Sequence, residues 1–388
     1  MASMTIVIAA ALATLLMAPY SKADDQRVRP GTTAWAQSNP PLGNAEDIIA
    51  NNRAHEVIVA VLDSGIDYQH PFLRRNLHFN LNEVVPYLRS GSMGGDDDNN
   101  GVVDDFLGYD FTGADGIPSH RLISEEFGLR IIVNEKLEVT GHGTHVAGIV
   151  TQGDHRIGIM PFRVIPPPPG PQTIKEMVAQ TADIFKDAIY MAKRSGARVV
   201  NMSLGIAPSE YVSGALIKKV FKELQRYVEK AASNMVIVVA AGNDTVDISA
   251  GTKVMPCQLR AGNVLCVGSV NAKNELSDFS NRGLQYIDLF APGEDILSTM
   301  PTDHTDDGLG FGPMSGTSMA APYVAHVVAR VMIKNPCLNA DQVTAILVDT
   351  ATRHKTALRL GNSKHEEFRY RVVDLKAAER KAAVTECW

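Results

Sequence analysis

Three short segments set a hydroxyl, an imidazole and a carboxylate in surroundings suited to chemistry. Gly316-Thr317-Ser318-Met319-Ala320-Ala321-Pro322 delivers one serine from a small, flexible lead-in, with an apolar helical stretch directly behind it. The spacing predicts Ser318 near a helix N-terminus, where unpaired backbone N–H groups and the dipole favour developing negative charge. A serine hydroxyl is a poor nucleophile alone and needs a base and an orienting acid. Gly141-His142-Gly143-Thr144-His145-Val146-Ala147-Gly148 offers an imidazole between glycines that let another chain approach closely. Val61-Leu62-Asp63-Ser64-Gly65 offers a carboxylate at the end of a buried run, where a charge is costly unless hydrogen-bonded. Taken singly, Asp63 also reads as a turn or helix cap.

Other polar clusters suggest different chemistry. His142 and His145 are three apart, a spacing compatible with a metal pair, but no third ligand follows at a matching spacing and the glutamate base of zinc peptidases is absent. His145 therefore reads as a packed, hydrogen-bonded helix residue. Asp96, Asp98, Asn100, Gly101 and Asp104 match the early part of a calcium loop, yet position twelve is Leu107 rather than glutamate. An EF-hand is not expected; a calcium site at Asp96, Asp98, Asn100 and Asp104 competes with a merely solvated acidic turn.

The elements that must carry these groups follow from periodicity. Val57–Leu62, Ile159–Ile165, Arg198–Met202, Val236–Ala241 and Val264–Val270 read as short buried strands. Ile174–Arg194, Tyr211–Ala232 and Tyr323–Ile333 carry apolar residues at helical spacing, with Val324, Val327, Val328 and Val331 on one stripe. The alternation predicts an α/β fold, a mostly parallel sheet with helices on both faces. Functional residues then gather beyond the C-terminal strand ends, which is where Asp63, Ser203 and Asn243 fall. Residues 76–140 read as a long polar insertion with an acidic tip, and Pro166-Pro167-Pro168-Pro169-Gly170-Pro171 as a stiff extended loop. Neither carries enough apolar content for a core of its own, so one catalytic domain over 24–388 is expected.

Composition bounds the partners. The chain has 388 residues, 45 % of them hydrophobic, ample for a large core. A net charge of −6 offers no basic surface for nucleic acid or anionic membrane. Ile6–Ala18 is too short an apolar run to span a bilayer, and Ser21-Lys22-Ala23 has the small residues that signal peptidase accepts. The expectation is a signal peptide over 1–23, export to an extracellular or periplasmic location, and no membrane association afterwards. Four cysteines, Cys257, Cys266, Cys337 and Cys387, suit an exported chain with up to two disulfides in any of three connectivities, with free buried thiols as the alternative.

The order Asp63, His142, Ser318, with these local sequences, resembles the subtilisin-like serine proteases (subtilases), over about Ala34 to Val373. The resemblance implies a secreted serine endopeptidase that forms an acyl-enzyme, with Ser318 as nucleophile, His142 as acid and base, and Asp63 orienting the imidazole. Ala240-Ala241-Gly242-Asn243 resembles the family's oxyanion segment, so Asn243 would bind the tetrahedral oxyanion together with the Ser318 N–H. Asn201-Met202-Ser203-Leu204-Gly205 resembles the substrate-binding strand, which assigns Ser203, Leu204 and Gly205 to an extended substrate. The proline run stands where the partner strand occurs, and proline has no N–H, so weaker backbone pairing with the substrate's N-terminal side is expected. The family needs no cofactor for catalysis, and structural calcium is common in it. Protein or peptide substrates, and a monomer, are expected.

Two features depart from the family: an expected lack of the usual propeptide, and residues from about 374 to 388, with Cys387 near their end. Asp24 to Thr33 leaves no room for the usual propeptide. Asn201-Met202-Ser203 and Asn243-Asp244-Thr245 are glycosylation sequons, and a glycan on Asn243 would occupy the oxyanion site, so either the sequons are skipped or the chain is made in a compartment without glycosylation, as in bacterial export. The alternative reading is a secreted inactive homologue that binds peptides or a protein. A decoy of that kind usually carries a substitution in the triad, and this sequence has none.

Overall fold

The computed structural model describes residues 44–387 except 93, 113–115, 117, 120–137, 166–173, 208–212, 231–232, 251–253, 284, 306–307 and 360–364. The leader segment and the proline run lie outside the described residues. The described chain groups into two compact units, residues 44–195 with 299–311 and residues 196–298 with 312–387.

In the first unit, α1 (Ala45–Ala54) leads into β1 (Val57–Asp63). Then come α2 (Leu81–Ser90), β2 (Tyr109–Asp110), α3 (Glu138–Thr151), β3 (Ile157–Arg163) and α4 (Ile174–Arg194). β1 pairs in parallel with β3 from Val57↔Ile157 to Asp63↔Arg163, and β2 adds to the other side of β3, also in parallel. Every residue of β3, and all but Ile58 of β1, is buried, as expected of strands covered on both faces. The α4 bounds equal the segment its apolar periodicity predicts.

The segment read as a polar insertion is more structured than its composition suggests. Asn80 caps α2 by accepting from Asn82 N–H, and Gly91, at φ 71°, ends it in the left-handed conformation. Phe79, Val84, Phe106 and Leu107 are buried, and Tyr109–Asp110 becomes β2. A few large side chains anchor an otherwise polar stretch, so mean composition misleads.

The second unit contains β4 (Val199–Met202), α5 (Gly214–Val220), α6 (Lys222–Lys230), β5 (Val236–Ala240), β6 (Val264–Val270) and β7 (Leu289–Pro292). There follow β8 (Ile296–Thr299), β9 (Phe311–Met314), α7 (Thr317–Lys334), α8 (Ala340–Thr350), β10 (Thr352–Arg359), β11 (His365–Val372) and α9 (Leu375–Ala382). β4 through β7 are parallel in sequence order, β11 joins β7 in parallel, and β10 closes that side as an antiparallel hairpin with β11. Both units thus bear out an α/β fold with a mostly parallel sheet. The predicted helix Tyr211–Ala232 is two helices, broken at Phe221, whose ψ of 0° tightens the turn. Ile217, Phe221, Leu224 and Val228 nevertheless keep one buried stripe across the break.

α7 is buried along Val324, Val327, Val328 and Val331 and packs on β4, β5, β6 and β7. The four cysteines pair as Cys257–Cys266 and Cys337–Cys387. The second bridge, with Asn335 Nδ2 donating to the carbonyls of Ala382 and Thr385, fastens the C-terminal segment beside α7.

Candidate active site

Asp63 ends β1, and only 1 % of its surface is exposed. Its Oδ1 accepts from its neighbour's backbone, Ser64 N–H (2.8 Å), and from His142 Nδ1 (2.8 Å). A carboxylate can only accept, so Nδ1 carries the proton and His142 presents its Nε2 lone pair. Burial acts to lower the His142 pKa; the charge and hydrogen bond of Asp63 outweigh it, and the net shift is upward from 6.5.

The approach of α3 to the end of β1 depends on glycine. A Cβ on Gly143 would lie 2.2 Å from the Gly65 carbonyl oxygen and 3.2 Å from Asp63. Ser64 Oγ accepts from Gly143 N–H (3.1 Å), and Thr144 Oγ1 from Asp67 N–H (2.9 Å), so two further bonds stitch the acid segment to the base segment. His145 is fully buried in the same helix.

In the second unit, Ser318 is the second residue of α7 and half-buried. Its Oγ donates to the Ser203 carbonyl (3.2 Å), while Ser203 Oγ donates to the Ser318 carbonyl (2.9 Å). Asn201 Nδ2 donates to Ser203 Oγ, tying β4 into the same network. Leu204 is buried and Gly205 exposed; beyond them Ile206 pairs antiparallel with Met255.

Asn243 follows β5. Its Oδ1 accepts from Thr317 N–H (2.9 Å) and Thr317 Oγ1 (2.9 Å). A backbone N–H can only donate, which fixes the amide's oxygen end toward α7 and its nitrogen end away from Thr317. Gly316, the N-cap of α7, shows where that nitrogen faces: a Cβ there would lie 3.2 Å from Asn243 Nδ2 and 3.6 Å from Ser318 N. Two N–H donors therefore border the space left by a missing side chain, an arrangement able to hold an oxyanion. The role of Thr317 is not legible from its type, although its place between Gly316 and Ser318 is a signal for it.

The acidic segment assembles differently from its spacing. Among the described residues, Glu83, Asp98 and Asp105 bring carboxylate oxygens within 4.8 Å of one another. Asp98 is common to the predicted set. Asn100 Nδ2 donates to Asp98 and Asp105, whereas Asp96 accepts from Asn100 and Gly101 N–H, and Asp104 from Gly94 N–H. Burial, with the Asp105 and Asp98 charges added, pushes the Glu83 carboxyl up to about 7. Burial likewise takes Asp105 to about 6, against donors from Asn100 and Asn80. Glu83 has no exposed surface, and its Oε2 is buried without a hydrogen-bond partner. Crowded carboxylates with an unpartnered oxygen fit a hard, oxygen-seeking cation. Glu83 comes from α2, outside the span of a loop template, so local spacing does not point to it.

A family model described as the Subtilase family matches residues 54–371. The chain belongs to the Subtilase family. The match spans both units and ends before α9. Subtilisin-like protease 1 of Plasmodium falciparum is 29 % identical over 335 residues, covering 81 % of this chain and 43 % of that protein. The chain thus spans less than half the length of that curated relative. The major intracellular serine protease of Bacillus subtilis is 29 % identical over 283 residues, covering 72 % of this chain and 69 % of that one. Among solved structures, a protease from Pseudoalteromonas arctica superposes with a TM-score of 0.54 at 25 % identity, covering 90 % of this chain and 96 % of that chain.

Proposed function

We propose that this chain is a serine endopeptidase acting on proteins or peptides through Ser318, His142 and Asp63. The carrying observation is the 2.8 Å bond between His142 Nδ1 and buried Asp63 in a chain of the Subtilase family. In the proposed reaction Ser318 Oγ attacks the scissile carbonyl carbon as His142 Nε2 takes its proton. Asp63 holds the imidazole's tautomer and stabilises the imidazolium. Asn243 Nδ2 and Ser318 N–H bind the carbonyl oxygen as it becomes an oxyanion. Collapse breaks the C–N bond while His142 returns its proton to the leaving amine, leaving an acyl-Ser318 ester. Water, deprotonated by His142, hydrolyses that ester and restores the enzyme. Ser203, Leu204 and Gly205 line an extended substrate in this reading.

Calcium bound at Glu83, Asp98 and Asp105 would neutralise their mutual repulsion and supply structural stability, with no part in the reaction. Residues 1–23 act as a signal peptide and direct the chain to export, a reading supported by the apolar run and the two disulfides. Among the described residues no helix is long and apolar enough to cross a membrane. Asn201 is fully buried, so a glycan there is incompatible with the folded chain.

The test is covalent labelling with a peptidyl diphenyl phosphonate, followed by mapping of the adduct. The expected result is one adduct on Ser318 that disappears in His142→Ala. A well-folded protein that takes no label, or takes it elsewhere, would refute the assignment.

A further inference from the structure

Asn243 is held at both ends. Thr317 fixes its amide oxygen and accepts from Gly242 N–H (3.1 Å), while the rest of its loop is held from elsewhere. That loop, residues 241–246, connects to the segment 278–282 through a dense set of hydrogen bonds, and Asn281 lies at their centre. Its side chain has no exposed surface. Oδ1 accepts from Asp244 N–H (3.0 Å) and Val246 N–H (3.1 Å). Nδ2 donates to the Ala241 carbonyl (2.8 Å) and to Asp244 Oδ2 (3.3 Å). A primary amide has two donors and two acceptor lone pairs, and here all four are used on residues that flank Asn243 on both sides. The Asn281 backbone N–H adds a bond to the Gly242 carbonyl (2.9 Å).

The approach leaves no slack. Gly242 adopts φ +97°, and a Cβ there would lie 2.5 Å from Asn281 Nδ2. The residue before Asn243 is therefore glycine both for its backbone angle and because the Asn281 amide occupies the adjoining space. Apolar side chains of similar size would leave the part-buried N–H groups of Asp244 and Val246, and the buried Ala241 carbonyl, without this partner.

We infer that Asn281 is a positioning residue for the oxyanion site: it holds the 241–246 loop so that the Asn243 amide meets the developing charge. This rests on the protease reading of Asn243. Oxyanion stabilisation depends on donors fixed in advance, and a displacement of about 1 Å can cost about 10²-fold in rate. The role belongs to the transition state, so its loss falls on kcat rather than KM.

The test is a double-mutant cycle on a chromogenic peptide substrate, using Asn281→Ala, Asn243→Ala and the pair. Asn281→Ala is expected to lower kcat roughly 10- to 100-fold with KM within about twofold. Asn243→Ala alone is expected to lower kcat roughly 10²- to 10³-fold. In that background Asn281→Ala should cost less than about threefold, because there is no donor left to position. Asn281→Asp, which keeps the shape and both acceptors but turns an oxygen toward the Ala241 carbonyl, should behave as Asn281→Ala does and serves if the alanine variant does not fold. Equal factors in both backgrounds, a loss confined to KM, or an unchanged kcat would overturn the inference. Wild-type protein without cleavage activity would remove the protease reading and this inference with it; an active wild type with an additive cycle removes the inference alone.

Discussion

At the residue scale, the His142–Asp63 pair links activity and stability to pH with opposite signs. The folded-state pKa of His142 lies above 6.5, because Asp63 outweighs burial. Protonated His142 is thus favoured by folding. That contribution to stability is fully present below about 6.5 and is lost as pH rises through the folded pKa. In the proposed mechanism catalysis runs the other way, since only a neutral imidazole can accept the Ser318 proton. kcat/KM should rise with pH through an apparent pKa above 6.5. Asp63→Asn should lower that pKa and reduce kcat by about 10⁴-fold, the size of effect known for removing this carboxylate in a triad. A pH profile unmoved by Asp63→Asn would contradict the coupling.

At the same scale, Gly316 tests where the proposed oxyanion donors point. A Cβ there would come within 3.2 Å of Asn243 Nδ2 and 3.6 Å of Ser318 N. Gly316→Ala should therefore lower kcat by roughly 10-fold or more with the fold intact, by crowding the donors. Steady-state kinetics beside a thermal melt check this, and unchanged kcat would place the donors elsewhere.

At the scale of elements, the approach of α3 to the end of β1 is set by small residues and short polar bonds. Gly143→Ala places a methyl against the Gly65 carbonyl oxygen, so the helix must move away from Asp63. A loss of roughly 1–3 kcal/mol in urea unfolding is expected, with reduced activity. A variant with wild-type stability and rate would show that the approach is not limiting.

These elements also show what the sequence could reveal. β6 and α4 match their predicted bounds because long buried or amphipathic runs state their period directly. Asp63, His142, Ser318 and Asn243 were visible because each sits at the end or start of such a run. β2, β10 and β11 were not anticipated. β2 has two residues and forms by pairing with β3, and β10–β11 is a charged hairpin whose partner, β7, is distant in sequence. Glu83 and Asn281 were hidden for the same reason: each acts on a segment far along the chain, and local spacing carries no trace of that.

At the scale of the whole molecule, the crowded carboxylates of the acidic segment make its stability sensitive to a cation. Glu83, Asp98 and Asp105 repel one another, and calcium binding only the folded state would stabilise it by roughly 2.7 kcal/mol at a hundredfold excess over Kd. Chelation should lower Tm by several degrees, calcium should restore it, and Glu83→Gln should blunt the response. An identical Tm with chelator and with millimolar calcium would contradict the site. The two disulfides both lie in the second unit, so a reductant should destabilise that unit first, readable by hydrogen exchange.

Ser318 as the nucleophile of a serine endopeptidase is the proposal on which the rest depends, and casein hydrolysis by wild type beside Ser318→Ala decides it. The wild type should cleave, and Ser318→Ala should lose roughly 10⁶-fold in kcat with the melting temperature unchanged. Equal cleavage by the two proteins, or none by a well-folded wild type, would contradict it.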